Sequence, residues 1–476
     1  MLMLPELIVV ATGFILLVLD LFLTEKQRDL LVPLALAGVA AAAGALVLTP
    51  DTGVLLGGRF AMDPLGWWFK LAFLVAAFLT IALTSGLLES AAPEVRKLHS
   101  PGEFLTILMF NLCGMLLLPS TRDLITLYVA LELATIPLFL LAAWRRDALG
   151  GEAGLKYMVI GALASALMLY GFGVLYGLTG TMRLDAMPAL LHADRTTLFA
   201  AALVVAGVGF KLTLVPFHMW APEVYQGAPP PVTAWLSVAS KAAGLSVLML
   251  VLFRVFRPFL HDAGFAIALL ATLTMTVGNL VAVVQRNILR FMAFSAISQA
   301  GYLLLGFLGG GSGGAAAMVF YLLVYVVTNL SVFAVLILHN QQTGSTQITD
   351  YRGLSQLNPL LSLAMMLGLF GLAGIPPLSG FVGKFLLFSV TAQAGYHWLV
   401  GVAAVNSTVS LYYYLRIVRQ MYIEAPAEGA VPLKPGALLT AALVVTTAAS
   451  MLLGVVPTVY EAVRVSAAAW LQALGQ

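Results

Sequence analysis

Five ionisable residues stand inside long apolar runs of this chain: Glu132 in "YVALELATIP", Lys156 in "GLKYMVIG", Lys211 in "GFKLTLVP", Lys241 in "VASKAAGL" and Lys384 in "FVGKFLLF". An ionised side chain at the centre of a bilayer costs about 2.5–3.5 kcal/mol on insertion scales. Five of them, unpaired and dry, would cost on the order of 12–18 kcal/mol, more than the net stability of most folds. They must therefore be paired, hydrated or neutral. Desolvation favours release of a lysine's proton and a close carboxylate favours its retention, so a Glu–Lys pair that opens and closes is a proton switch.

Prolines accompany two of these lysines. Pro216 follows Lys211 and should break its helix, and "GIPPLSG" (Gly374–Gly380) should do the same before Lys384. Loose backbone at membrane depth is tolerated only against protein or a water-filled cavity. A lysine beside such a break, found twice, reads as a proton or ion path; the plainer reading is lysines that glue helices together. His218 lies two turns beyond Lys211 on roughly the same helical face. It can relay protons or simply bond to a loop carbonyl. Lys70, behind Trp67 and Trp68 at a span start, reads as a lysine snorkelling to the interface. Glu223 reads as a loop brace, Arg286 and Arg290 as positive-inside charges, "GGGSGG" (Gly309–Gly314) as a flexible loop and Cys113 as packing.

The elements that must hold these residues are membrane helices. The 476 residues are 61% hydrophobic and 9% charged, against roughly 25% charged in soluble proteins. Fourteen candidate spans follow one another, near 5–23, 30–49, 65–88, 102–119, 123–143, 153–178, 197–219, 231–253, 263–284, 288–308, 315–338, 358–394, 397–420 and 436–456. The tail 458–473 is shorter and amphipathic and should lie at the interface. The fold class is an all-α polytopic membrane protein. Its four parts are a three-helix segment (1–100), two five-span blocks (101–255 and 256–422), the second inverted relative to the first, and a C-terminal helix with tail (423–476). In each block the fourth span is the broken one. With the N-terminus outside, twelve loop lysines and arginines collect on the inner side against seven on the outer, which puts both termini outside the cytoplasm. The first apolar run lacks a basic leader and a small-residue cleavage site, so it reads as a retained span.

Composition also excludes functions. A single cysteine, Cys113, cannot by itself hold an iron–sulfur cluster or a cysteine-based zinc site, and no phosphate-binding glycine motif is present. Basic residues are scattered among loops rather than gathered as a nucleic-acid surface. Redox chemistry would have to belong to partners.

From "LTLVPFHMWAPEVYQGAPPPVTAWLSVASKAAG" onward the sequence resembles the antiporter-like membrane subunits of respiratory complex I, NADH-quinone oxidoreductase. "ALELATIPLFLLAAW", "GGEAGLKYMVIGALASA", "NILRFMAFSAISQAGY" and "LAGIPPLSGFVGKF" carry the same resemblance, and the opening "LPELIVVATGFILLVLDLF" makes it most similar to the subunit N branch, chain 2 in mitochondria. The resemblance implies a proton-translocating module of the membrane arm of a bacterial inner-membrane complex. NADH, FMN, iron–sulfur clusters and quinone would be handled by partner subunits, with no cofactor and no metal on this chain. It implies proton-transfer roles for Glu132, Lys156, Lys211, Lys241 and Lys384. Glu132 and Lys211 would be the switchable pair, Lys156 and Lys241 would pass protons along the midplane, and Lys384 would gate exit. Some relatives have histidine in place of Gln299, which leaves open whether the half-paths join through a side chain or through water. A subunit of a multi-subunit cation/proton antiporter, a related membrane-bound hydrogenase subunit and a purely structural scaffold are the alternatives. Lys384 and the N-terminal segment favour complex I, and five buried charges argue against a scaffold.

Overall fold

The structure is a computed structural model that describes residues 1–24, 27–50, 52–89 and 100–474. Lys26, Arg96 and Lys97, counted above on the inner side, lie outside the described residues. The N-terminal segment comprises α1 (Leu4–Phe22), α2 (Leu31–Leu48) and α3 (Pro64–Glu89), with a short hairpin of β1 (Gly53–Leu55) and β2 (Phe60–Met62) between the last two. The first block runs through α4 (Pro101–Leu117), α5 (Leu124–Leu133), α6 (Ile136–Ala142), α7 (Ala148–Thr179), α8 (Arg195–Leu212), α9 (Trp220–Gly227) and α10 (Pro230–Leu250). The second comprises α11 (Gly264–Val283), α12 (Ile288–Leu308), α13 (Gly311–Thr343), α14 (Leu354–Leu357), α15 (Pro359–Ala373), α16 (Ser379–Gln393) and α17 (His397–Tyr422). The chain closes with α18 (Ala437–Val455) and α19 (Thr458–Ala473).

Twelve helices among the described residues are long and apolar enough to cross a membrane, and each coincides with one of the fourteen expected spans. The other two expected spans are the broken one, now α15 and α16 of 15 residues each, and α17. α17 is long enough at 26 residues, but Asn406, Ser407, Thr408 and Ser410 interrupt its apolar run.

The two blocks meet at α10, α12 and α13. α10 is buried along its whole length, and α12 and α13 nearly so, because each is wrapped by other helices rather than lipid. α3 packs against α10, α13, α18 and α19 and so ties the N-terminal segment to both blocks. α19 covers α13 and α3, burying Val463, Ala467, Trp470 and Leu471.

The glycine stretch expected as a flexible loop is mostly helix, since α13 begins at Gly311. Only Gly309 and Gly310 connect. Gly310 and Gly311 take positive φ (56° and 54°), and a Cβ on Gly314 would lie 2.2 Å from Gly306 O. The glycines thus provide a tight turn between closely packed helices.

Candidate functional site

Three proline-linked breaks leave helix ends inside the molecule. Pro137, lacking an N–H, interrupts the fifth expected span between Leu133 and Ile136. α8 stops at Leu212, where Thr213 turns left-handed (φ 59°), and α15 stops at Gly374 (φ 87°). Val215–Pro216 and Pro376–Pro377 are cis. The C-terminal end of a helix presents carbonyls without intrahelical partners, and its dipole favours a cation there.

Lys211, Lys241 and Lys384 are each seated at such an end. Lys211, 3% exposed, donates to Ala134 O (3.3 Å) at the α5–α6 break. Lys241 donates to Thr213 Oγ1 (2.6 Å), directly beyond α8. Lys384, one turn into α16, reaches back to Leu372 O and Ala373 O (3.0 Å each) at the end of α15. Its ammonium also meets Ser407 Oγ (3.2 Å) and lies 4.4 Å from the Tyr302 ring centre. The break at Pro216 is thus met by Lys241 rather than by Lys211, which precedes that proline and reaches the α5–α6 break, while Lys384 meets the break before it.

Between Lys241 and Lys384 runs a line of buried polar groups. Ser237, one turn before Lys241, accepts at its hydroxyl from Asn329 Nδ2 (2.5 Å) and at its carbonyl from the Tyr325 hydroxyl (3.1 Å). Tyr321, one turn before Tyr325 on α13, donates to Gln299 Oε1. Gln299 Nε2 donates to Leu372 O (3.0 Å), the carbonyl that Lys384 also uses, and to the Tyr414 hydroxyl (3.3 Å). Tyr414 and Ser295 share a further bond of 2.5 Å. At the other end, Ser240 beside Lys241 donates to Lys211 O (3.4 Å). The line has two steps of one helical turn, spanning about 5–6 Å each, and is otherwise hydrogen-bonded. At Gln299 the connection is made by side chains and one backbone carbonyl.

The expected switchable pair is found apart, and other expectations need correction. Glu132 and Lys211 do not form an ion pair among the described residues: Glu132 Oε1 accepts from the Ser165 hydroxyl, while Lys211 bonds two residues further on. The α5–α6 break turns the chain between them. His218 does not share a helical face with Lys211, because α8 ends in between; it sits half-buried in the break with Nδ1 unpartnered among the described residues.

Lys156 stands apart from this buried line. It is 40% exposed and bridges Glu152 (2.6 Å) and Glu223 (2.5 Å) beside Arg290, around a cavity of about 130 Å³. α7 has 32 residues, roughly 48 Å at 1.5 Å per residue against about 30 Å of hydrocarbon. Lys156 is eight residues into it, roughly 12 Å from its start. Glu223 is thereby a salt-bridge partner. Lys70 does not snorkel: it is wholly buried, 2.5 Å from the carboxylate of Glu6.

Ser165, Thr213, Ser237, Asn329 and Tyr321 escaped the sequence reading. Hydroxyls and amides inside apolar spans are too common to single out without knowing which face they occupy.

The family model described as NADH:quinone oxidoreductase/Mrp antiporter, TM, matches residues 121–410. The NADH-quinone oxidoreductase subunit N of Moorella thermoacetica is 41% identical over 459 residues, 95% of each chain. Among solved structures, a chain of respiratory complex I from Thermus thermophilus superposes with a TM-score of 0.79 at 35% identity, over 95% of this chain and 98% of that one. A chain of the Mrp complex from Dietzia sp. shares the fold, with a TM-score of 0.85 at 22% identity over 98% and 99%.

Proposed function

The chain belongs to the NADH:quinone oxidoreductase/Mrp antiporter membrane family, and from that premise we propose that it is the antiporter-like subunit N of a complex I membrane arm, moving protons along its buried lysines. The observation that supports this reading is the buried polar line from the Lys211 carbonyl through Ser240, Lys241, Ser237, Tyr325, Tyr321 and Gln299 to Leu372 O and Lys384, hydrogen-bonded except for the steps along α10 and α13. It crosses both blocks at their shared core, where a scaffold would be built of leucine and alanine alone.

In this reading the subunit works inside an enzyme complex whose NADH, FMN, iron–sulfur and quinone chemistry resides in partner subunits. Protons enter near the Lys156–Glu223 cluster. The charges of that cluster face out of the chain, at a site that a neighbouring membrane-arm subunit or interfacial water would satisfy. The opening and closing of Glu132 towards Lys211 is the switch, with the open arrangement seen here. Closure requires Glu132 to leave Ser165 and Lys211 to leave Ala134. Lys241 and the hydroxyl line then pass charge to Lys384, which releases it at the second break. Gln299 carries no ionisable proton of its own and orders the line through Tyr321 and Tyr414. The fourteen crossings, the two inverted blocks 101–255 and 256–422, and termini on the outer face of a bacterial inner membrane complete the proposal.

Gln299→Leu tests the reading, since it cuts the line while leaving every lysine in place. Proton pumping and quinone-linked electron transfer should both fall in an assembled complex. An assembled variant that pumps at the parental rate would show that protons do not pass this point.

A further inference from the structure

Tyrosines from three different helices gather around one turn of α10, the turn from Ser237 to Lys241. Tyr325 on α13 donates to Ser237 O (3.1 Å). Tyr157 on α7 reaches towards the Ser240 side chain without completing a hydrogen bond to it. Tyr225 on α9 lies within electrostatic range of both Tyr157 and Tyr325. Tyr157 and Tyr225 are wholly buried, yet neither hydroxyl has a hydrogen-bond partner among the described residues. A buried hydroxyl left unpaired destabilises a fold, so a site that needed only the rings would carry phenylalanine. The rings are held firmly. Tyr157 stacks on Trp220 (centroids 4.4 Å apart) and stands edge-on to Phe139 (4.9 Å), while Tyr225 meets Trp220 edge-on (6.4 Å). The directions of both hydroxyls are thereby set by packing.

Beside these tyrosines lies the cavity of about 130 Å³. α7 contributes Leu149, Glu152, Ala153 and Lys156 to its wall, and α9 contributes Glu223 and Gln226. Tyr157 follows Ala153 by one helical turn on the same face, and Tyr225 stands between Glu223 and Gln226 in sequence. The side chains of Glu152, Lys156 and Glu223 are 40–58% exposed, whereas Lys241 is 1% exposed. The tyrosines thus occupy the ground between water-exposed charges and a buried lysine. Glu152 and Glu223 offset Lys156 and Arg290, so the mouth carries no net charge to repel a cation.

We propose that Tyr157 and Tyr225 form the proton inlet of the lysine line, carrying protons from the Lys156–Glu223 cavity to Ser240 and Lys241. The inference rests on the proton-path reading above and gives its entry a course through named atoms. Water entering from the cavity bridges to the tyrosine hydroxyls. Each hydroxyl passes its own proton forward as it takes one from behind, so every O–H bond broken is replaced and no tyrosinate forms. The last proton makes an N–H bond on the neutral Lys241 amine, which becomes an ammonium seated on Thr213 Oγ1 (2.6 Å). One proton has then left the cavity and one has joined Lys241. The Glu132–Lys211 switch sets when Lys241 loads, and the tyrosines set where its proton comes from.

The test uses the whole complex, reconstituted in proteoliposomes, with the double variant Tyr157→Phe/Tyr225→Phe, which keeps both rings and removes both hydroxyls. Idle hydroxyls would leave turnover parental. The inlet predicts an assembled complex with an unchanged or higher melting temperature, yet a severalfold fall in quinone-linked electron transfer and pumping. The deficit should widen as the medium on the Lys156 side is made more alkaline, because supply through the inlet then limits the rate. Should the double variant not assemble, Ser240→Ala removes the side-chain oxygen that Tyr157 faces and carries the same kinetic expectations. Parental turnover, pumping and pH profile in either assembled variant overturn the proposal. Lys211→Ala, measured alongside, separates the two readings. If it abolishes pumping while the tyrosine variant pumps normally, only the inlet fails; if it too pumps normally, the path itself fails.

Discussion

Thr213 shows how much one residue must do in this chain. It ends α8 in a left-handed conformation (φ 59°) that β-branched side chains rarely adopt, and its hydroxyl receives Lys241 while donating to Leu212 O (2.6 Å). Thr213→Val keeps the shape and removes the hydroxyl. The buried ammonium then loses its partner, at a cost of about 1–3 kcal/mol, and proton-coupled electron transfer in native membranes should slow while assembly persists. At this scale the lysines were legible because charge in apolar sequence needs an explanation. Their partners were not: Ala134 O, Leu372 O and Ala373 O are backbone atoms, and no side-chain pattern announces a carbonyl freed by a break. The Glu6–Lys70 pair was hidden for another reason. Its members stand 64 positions apart, and only helix packing brings them together.

The breaks are the elements that make lysine affordable in oil. Pro216 and the Pro376–Pro377 pair announced two of them, whereas the α5–α6 break, with Pro137 at its start, was passed over inside an unbroken expected span. That break is packed tightly: a Cβ on Gly114 would lie 2.4 Å from Ala134 N and 2.6 Å from Leu133 C. Backbone cannot yield as a side chain does, so Gly114→Ala should lower stability by about 1–3 kcal/mol, read as a lower melting temperature of the purified complex. The start of α7 offers a pH test. Asp147 caps the helix through Gly150 N–H (2.7 Å) and pairs with Arg145. Partial burial alone would raise its carboxyl, but those two contacts hold it below the ordinary aspartate range. A lowered folded value stabilises above the unfolded value and is lost as pH falls through the folded one. Acidification below about pH 4 should therefore destabilise the parent more than Asp147→Asn, compared by thermal unfolding in detergent. Asp147→Ala should cost about 0.5–2 kcal/mol at neutral pH through loss of the cap.

Across the whole molecule, α10, α12 and α13 form an inner wall that both blocks share, and α3 and α19 strap it from outside. The amphipathic tail was readable residue for residue, 458–473 against Thr458–Ala473, because its apolar positions recur at helical spacing. What it covers was not readable. Trp470 packs against Phe253 and beneath Arg254, so Trp470→Ala should cost about 3–5 kcal/mol locally and speed proteolysis of the tail. The breaks in the seventh and twelfth expected spans were legible from their prolines. The partners of Lys156, Glu152 and Glu223, were not readable, since Glu223 stands 67 positions away and only packing brings it near. The functional consequence we propose for these packed parts is that charge crosses the wall from Lys211 to Lys384. The most direct check is Lys211→Ala in native membranes, assayed together for assembly, NADH–quinone electron transfer and proton pumping. An assembled complex in which electron transfer and pumping collapse together is the expected result. Normal assembly, turnover and pumping would contradict it and reduce the lysine to a bond between helices.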